Sequence, residues 1–449
     1  MMEHRLSIFD IEDHHVSNPH QRYVKNTERK RSKAIVDVWS EDVIKTDKPS
    51  PEELFRTDNF YRDTKSLLVL FQIMGVMPIE RAGIGHTEWN WISRTTIYSY
   101  ILFISETVYV TIVFKARLEL TLQKGKRFDE YIYNFIFLSI LVPHFLLPIA
   151  AWRNGPEVAK YKNMWTTIQN KYCRMTGNML IFPRLECITW SSCVMSWLVS
   201  FAVMLAQFYL QPDLLFWHTL AYYHILAMLD CLCSLWFINC RAQGAAASGL
   251  IRFLKKALES PDAANQLAEA RSLWVDLSHL MQQLGRAYSG MYAMFCILIL
   301  LTTIVASYGC LAEILDHGLS EKEIGLFLIT VYCMSILYII CNEAYHASRK
   351  MGPLVQERLL NTNFGKLDED IQKEINMFLT AIDKNPPTMN LNGYTNVNRE
   401  LITSVMASMG TYLVMLMQFK MSLSRNQQRV AAAQNATLGN TTLFNSTSL

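Results

Sequence analysis

At 449 residues the chain is long enough for about three soluble domains of about 150 residues each. Its composition excludes that division, because 51% of residues are hydrophobic and 18% charged, where soluble chains average about 25% charged. A net charge of +3 is too small for a nucleic-acid partner, and abundant apolar residues with 12% aromatics exclude global disorder.

Residues 1–50 are polar and carry the basic run KNTERKRSK at Lys25–Lys33. No apolar run opens the chain, so no cleavable signal peptide is expected. The basic run fits a nuclear signal, or better a membrane-proximal segment beside an anionic cytoplasmic leaflet; the favoured reading is the plainer one, a solvated disordered arm. SLLVLFQIMGVMPI, Ser66–Ile79, is too short to cross a bilayer and is expected at the interface. Seven apolar stretches of membrane-spanning length follow: Thr95–Phe114, Tyr131–Trp152, Ile188–Leu210, Leu214–Cys240, Met291–Leu315, Gly325–Cys341 and Leu401–Phe419. They must be helices, since no alternating barrel pattern is present and backbone groups in hydrocarbon need internal partners. Pro143 and Pro148 predict a kink in the second. The spacing of Leu267, Leu273, Trp274, Leu277, Leu280, Met281 and Leu284 predicts an amphipathic helix between the fourth and fifth, either a subunit contact or the base of a bundle.

The density of basic residues is nearly equal on the two sides and does not orient the spans. The glycosylation sequons do: Asn435, Asn440 and Asn445 all lie in the C-terminal tail. A glycosylated tail is outside, and an odd number of spans then puts the N-terminus inside.

No enzyme motif is present: there is no GxGxxG, P-loop, HExxH or GxSxG. The ten cysteines form no CxxC pair and read as small apolar packing residues. No cofactor and no metal site are expected, because His144, His218 and His224 come from only two spans and read as structural. Polar groups inside spans are costly and are candidates for function. Glu106 and Asp230 are two. A pocket within the bundle is expected from Gln207, His218, Tyr222, Tyr223, His224, Tyr308 and Thr330. The alternative is that these groups only hydrogen-bond helices together. The seventh span carries Ser404, Ala407, Ser408 and Gly410, then Thr411 and Tyr412, and ends in Gln418-Phe419-Lys420. Small residues allow close helix packing, and a terminal amide beside an aromatic suits either a hydrated pore or an interfacial anchor.

TYLVMLMQF, Thr411–Phe419, resembles the C-terminal signature of insect gustatory receptors. GVMPIER at Gly75–Arg81, EIGLFLITVYCMSILYIICNEAYHAS at Glu323–Ser348 and EINMFLTAIDKNPPTMNLNGYTNVNREL at Glu374–Leu401 resemble the carbon dioxide receptor subunits within that family. The resemblance implies an all-α membrane protein of seven transmembrane helices, N-terminus intracellular and C-terminus extracellular, forming a tetrameric ligand-gated cation channel with a second family subunit. It implies a cytoplasmic arm and interfacial segment over residues 1–94 and a channel domain over residues 95–419. Residues 241–290 and 342–400 would be anchor segments, and residues 420–449 an extracellular glycosylated tail. Gln418 and Phe419 would face the pore, with Thr411, Tyr412 and Met415 beside them. Carbon dioxide or bicarbonate would be the ligand, the bilayer and other receptor subunits the partners, and the plasma membrane of chemosensory neurons the location. A sugar- or bitter-responsive channel of the same family is the alternative.

Overall fold

In a computed structural model of the protein, residues 58–83, 86–122, 128–210, 214–317, 321–363, 365 and 367–446 are described. The basic run Lys25–Lys33 lies outside them, as do the side chains of Asn435, Asn440 and Asn445.

The described residues are almost wholly helical. The first element among them is α1 (Asn59–Ile73), followed by an antiparallel hairpin of β1 (Glu80–Gly83) and β2 (His86–Glu88). Then come α2 (Arg94–Leu122), α3 (Phe128–Arg153), α4 (Gly155–Thr176), α5 (Leu185–Leu210) and α6 (Phe216–Ala257). The remainder is α7 (Ala263–Ala287), α8 (Ser289–His317), α9 (Glu321–Met351), α10 (Pro353–Leu360), α11 (Glu369–Lys384) and α12 (Arg399–Ser446).

Among the described residues, 7 helices are long and apolar enough to cross a membrane: α2, α3, α5, α6, α8, α9 and α12. Each contains one of the seven stretches read from hydropathy, except that the fourth stretch begins at Leu214, two residues before α6. The helices overrun those stretches, because an α-helix continues wherever capping or packing sustains it, whatever the hydropathy. Thus α2 continues past Phe114, the end of the first apolar stretch, through Lys115 to Leu122. Arg117 there is buried, with its guanidinium over the Phe137 ring at 5.3 Å. α3 remains helical through both prolines.

α1 is more than an interfacial strip. Phe60, Leu67 and Phe71 are buried, and Phe60 stacks on Trp165 of α4 at 4.4 Å between ring centroids. The Glu80 carboxylate accepts from Thr95 Oγ1 at 2.8 Å and from Thr95 N at 3.3 Å. It therefore caps the first turn of α2, where exposed amides and the helix dipole favour an anion. These hydrogen bonds hold the Glu80 carboxyl below its ordinary range.

One end of the bundle is built from the extensions of α6 and α9 together with α4, α7, α10 and α11. Every apolar residue that predicted α7 is buried, which makes this helix the base of the bundle. Trp274 donates to Met351 O at 2.8 Å and faces Phe378 of α11. Arg271 pairs with Glu374 at 2.6 Å, and Arg241 with Glu343 at 2.9 Å. Gly285 lies so close to the backbone of Asn390 that no side chain fits between them. Asn390 belongs to a turn with positive φ at Asn392 and Gly393 and a 3.0 Å bond from Tyr394 N to Leu391 O. Asn-Gly is the sequence that such a turn selects.

Candidate functional site

The core of the membrane bundle holds a small cavity between α3, α5, α6, α8 and α9. It offers about 40 Å³ to the centres of water-sized molecules, where a single water needs roughly 10–15 Å³. Its walls are mostly apolar: Phe137, Leu226, Leu229, Phe295, Ile299 and Ile329 among them. Gln207, Tyr222, Thr302 and Tyr332 supply the polar groups. Gln207 donates its amide to Gly325 O at 3.0 Å, while its buried Oε1 has no hydrogen-bond partner among the described residues. A cavity of this kind suits a ligand of a few heavy atoms, held by shape and one or two hydrogen bonds.

Of the seven residues expected to form a pocket, the structure brings Gln207 and Tyr222 to this cavity. Tyr223 turns to α5, where it packs on Trp197 and Phe201. His218 is buried under Trp217 at the start of α6. Thr330 bonds back to Leu326 O on its own helix, and Tyr308 is buried without lining the cavity. His224 faces the opposite way, toward α2, with Nε2 3.3 Å from Glu106 Oε1. Asp230 accepts from Ser200 Oγ at 2.6 Å, a helix-to-helix bond inside the bundle. Sequence reasoning missed Thr302 and Tyr332, which stand among apolar neighbours at helical spacing and carry no separate signal.

The second candidate surface is α12. Among the described residues its main packing is against α8 and α9, along the side that carries the half-buried Ile402, Val405, Met409, Leu416, Met417 and Lys420. Lys420 Nζ donates to Ala312 O at 2.7 Å. Arg399 fastens the other end, with Nη2 2.7 Å from Asn342 Oδ1 and its guanidinium 4.1 Å from the Tyr345 ring centroid. None of the apolar window of α12 is buried inside the chain, whereas 83% of that of α6 is. Ser404, Ser408, Thr411, Met415 and Gln418 are all exposed and recur every three or four residues, forming one stripe. Tyr412 and Phe419 flank it and are also exposed. The residues picked out in the sequence thus lie together on an uncovered face.

A family model described as 7tm chemosensory receptor matches residues 64–423. Gustatory and odorant receptor 22 of Anopheles gambiae is 51% identical over 93% of this chain and 92% of its own length. Gustatory and odorant receptor 21a of Drosophila melanogaster is 49% identical over 93% of this chain and 94% of its own. Among solved structures, the olfactory receptor OR5 of Machilis hrabei in complex with eugenol aligns over 81% of this chain and all of its own. The TM-score is 0.57 at 13% identity, a likeness of fold. With its seven membrane-length helices and a match that runs from α1 to the end of the last apolar span, the chain belongs to the 7tm chemosensory receptor family.

Proposed function

We propose that this chain is one subunit of a ligand-gated cation channel for carbon dioxide chemosensation, completed by a second family member. The observation that carries the channel reading is the uncovered α12. Ser, Thr and Gln facing lipid on a whole helix stripe are unfavourable, because hydrocarbon offers them no partner. Four copies around an axis would turn the stripe toward a shared aqueous path and cover the flanking apolar residues. Gln418 and Phe419 would then stand at one end of that path, where amides can hydrate an ion and aromatic rims can exclude water. The N-terminus is placed inside and the tail outside, in the plasma membrane of a sensory neuron.

The carbon dioxide reading is supported by the 49–51% identity to receptors named for both taste and odour. The small apolar cavity supports it too, since 40 Å³ favours a ligand of a few heavy atoms over a sugar. At a ceiling of about 1.5 kcal/mol per heavy atom, such a ligand binds with roughly 4–5 kcal/mol, a millimolar affinity. Only the part of this that differs between closed and open states drives opening, so several contributing subunits are needed. Whole-cell recording tests the reading. The chain alone is expected to give weak current or none during carbon dioxide pulses, and co-expression with a second family member a robust one. Equal currents from the chain alone, or responses to sugars and bitter compounds but not carbon dioxide, would overturn it.

A further inference from the structure

On the face of α6 turned away from Tyr222, Leu226 and Leu229, His224 converges with Glu106 of α2 and His144 of α3. One ligand-type atom from each lies within 4.8 Å of the other two. The three residues come from three helices and are separated in sequence by 38 and 80 positions, so local chain geometry does not force them together. His144 is 1% exposed; the Glu106 and His224 side chains are 26% and 24% exposed. The cluster is therefore enclosed on one side and reachable on the other.

We propose that Glu106, His144 and His224 bind one divalent transition-metal ion of the zinc class, clamping α2 onto α3 and α6. Two imidazoles and one carboxylate are a donor set that zinc takes in protein sites with an open fourth position. Metal bonds of about 2.0–2.1 Å in a tetrahedron put neighbouring ligand atoms about 3.3 Å apart. The Glu106–His224 edge is 3.3 Å as it stands. A modest adjustment of His144 completes the triangle. Its ring is supported from outside: Thr107 Oγ1 lies 3.0 Å from Nε2, Phe103 stacks on it at 5.2 Å, and Phe145 meets it edge-on at 5.3 Å. Outer contacts of this sort orient a ligating imidazole.

The electrostatics agree. A carboxylate midway along a membrane helix is costly unless a positive charge neutralises it. Among the described residues, the ion-pair partner of Glu106 is a histidine, His224, which is positive only when protonated. A divalent ion supplies the missing charge to Glu106 and accepts lone pairs from two neutral imidazoles. The mechanical need also fits. Only 17% of the apolar window of α2 is buried in the chain, so little packing holds that helix in place. These three residues leave the fourth coordination position open.

The test uses the purified full-length chain in lipid nanodiscs, stripped with a chelator and titrated with zinc against a chromophoric competitor. The wild type is expected to take up one equivalent more than His144→Ala or His224→Ala. Glu106→Gln should weaken that uptake at least tenfold, and His218→Ala should leave it unchanged. Saturating zinc should raise the Tm of the wild type and of His218→Ala alone. X-ray absorption at the zinc edge of the wild type does not depend on any variant folding, and should show two imidazoles and one carboxylate. Equal uptake in all five chains, or a wild-type spectrum without two imidazoles, would overturn the proposal.

Discussion

Gln418 and Lys162 show how differently one polar side chain can be placed in this bundle. Gln418 stands on the uncovered stripe of α12, exposed within its own chain. If that stripe lines a shared path, Gln418→Ala should change reversal potential or closed-state leak while surface expression stays normal. Met415→Ala, one turn back, offers no amide and should change neither. Unaltered selectivity, leak and ligand response in a Gln418→Ala channel at the cell surface would remove the residue from the gate. Lys162 lies in α4, outside the membrane helices, and is buried against the Phe60 ring at 4.9 Å. Burial pushes its pKa down to about 8, partly opposed by Asp58. Between pH 8 and about 10.4, the free-lysine value, the unfolded chain binds more protons than the folded one, so stability rises with pH across that window. Lys162→Met should raise Tm at pH 7, by the equivalent of about 1–3 kcal/mol, and should flatten the rise above pH 8. A lower Tm at pH 7 would mean that the aromatic and Asp58 contacts outweigh burial. Individual residues were legible only where a periodic or apolar context framed them. Gln207 and Tyr222, which line the cavity, stood out as polar groups inside apolar spans. The Glu106–His224 pair was not legible, because its partners lie 118 positions apart on different helices.

At the scale of elements, hydropathy marked every membrane helix, since 20-odd apolar residues have few alternatives to crossing a bilayer. The ends of α6 and α9 were not marked, because beyond the apolar stretches these helices are sustained by contacts with α7 and α10. α7 was legible from its period of apolar positions. α4 was not: its buried face of Val158, Tyr161, Trp165 and Ile168 is interleaved with lysines and an inward Lys162, which blurs the pattern. The β1–β2 hairpin gave no signal either. Strands of 4 and 3 residues are too short to show an alternation, and the hairpin is tied to α4 by two bonds between Thr87 and Asn163. Where α7 meets the Asn390–Asn396 turn, the tolerance is smallest. A Cβ at Gly285 would lie on the Asn390 backbone, 2.8 Å from its N. Gly285→Ala should therefore cost about 1–3 kcal/mol as an overpacked contact, read as a lower Tm of the purified chain. Gly410→Ala on α12, with nothing within 4 Å of the new Cβ, should leave Tm unchanged. Equal Tm values for the two variants would show that the turn yields without strain.

For the whole molecule, the proposed arrangement puts both termini on opposite sides of the membrane. Enzymatic deglycosylation should shift the mobility of the full-length protein. Asn435, Asn440 and Asn445 together should account for the whole shift, as the chain contains no other sequon. An N-terminal epitope reachable on unpermeabilised cells would reverse the orientation. The fold class was legible in the sequence because the bilayer leaves few choices to an apolar chain; the order in which helices pack, which decides what lines the cavity, was not written in any local pattern. One dimension of that packing has a mechanical meaning. α6 has 42 residues and is about 63 Å long, roughly twice the hydrocarbon thickness. Leu226 and Leu229 on this helix touch the cavity, while Leu254 and Ala257 at its other end are wholly buried in the base. It is a lever: a pivot of one degree at Leu229 sweeps Ala257, about 42 Å away, through about 0.7 Å. A small ligand in the cavity, as proposed above, would need only to lean on the short arm for the long arm to shift the base in which it is set.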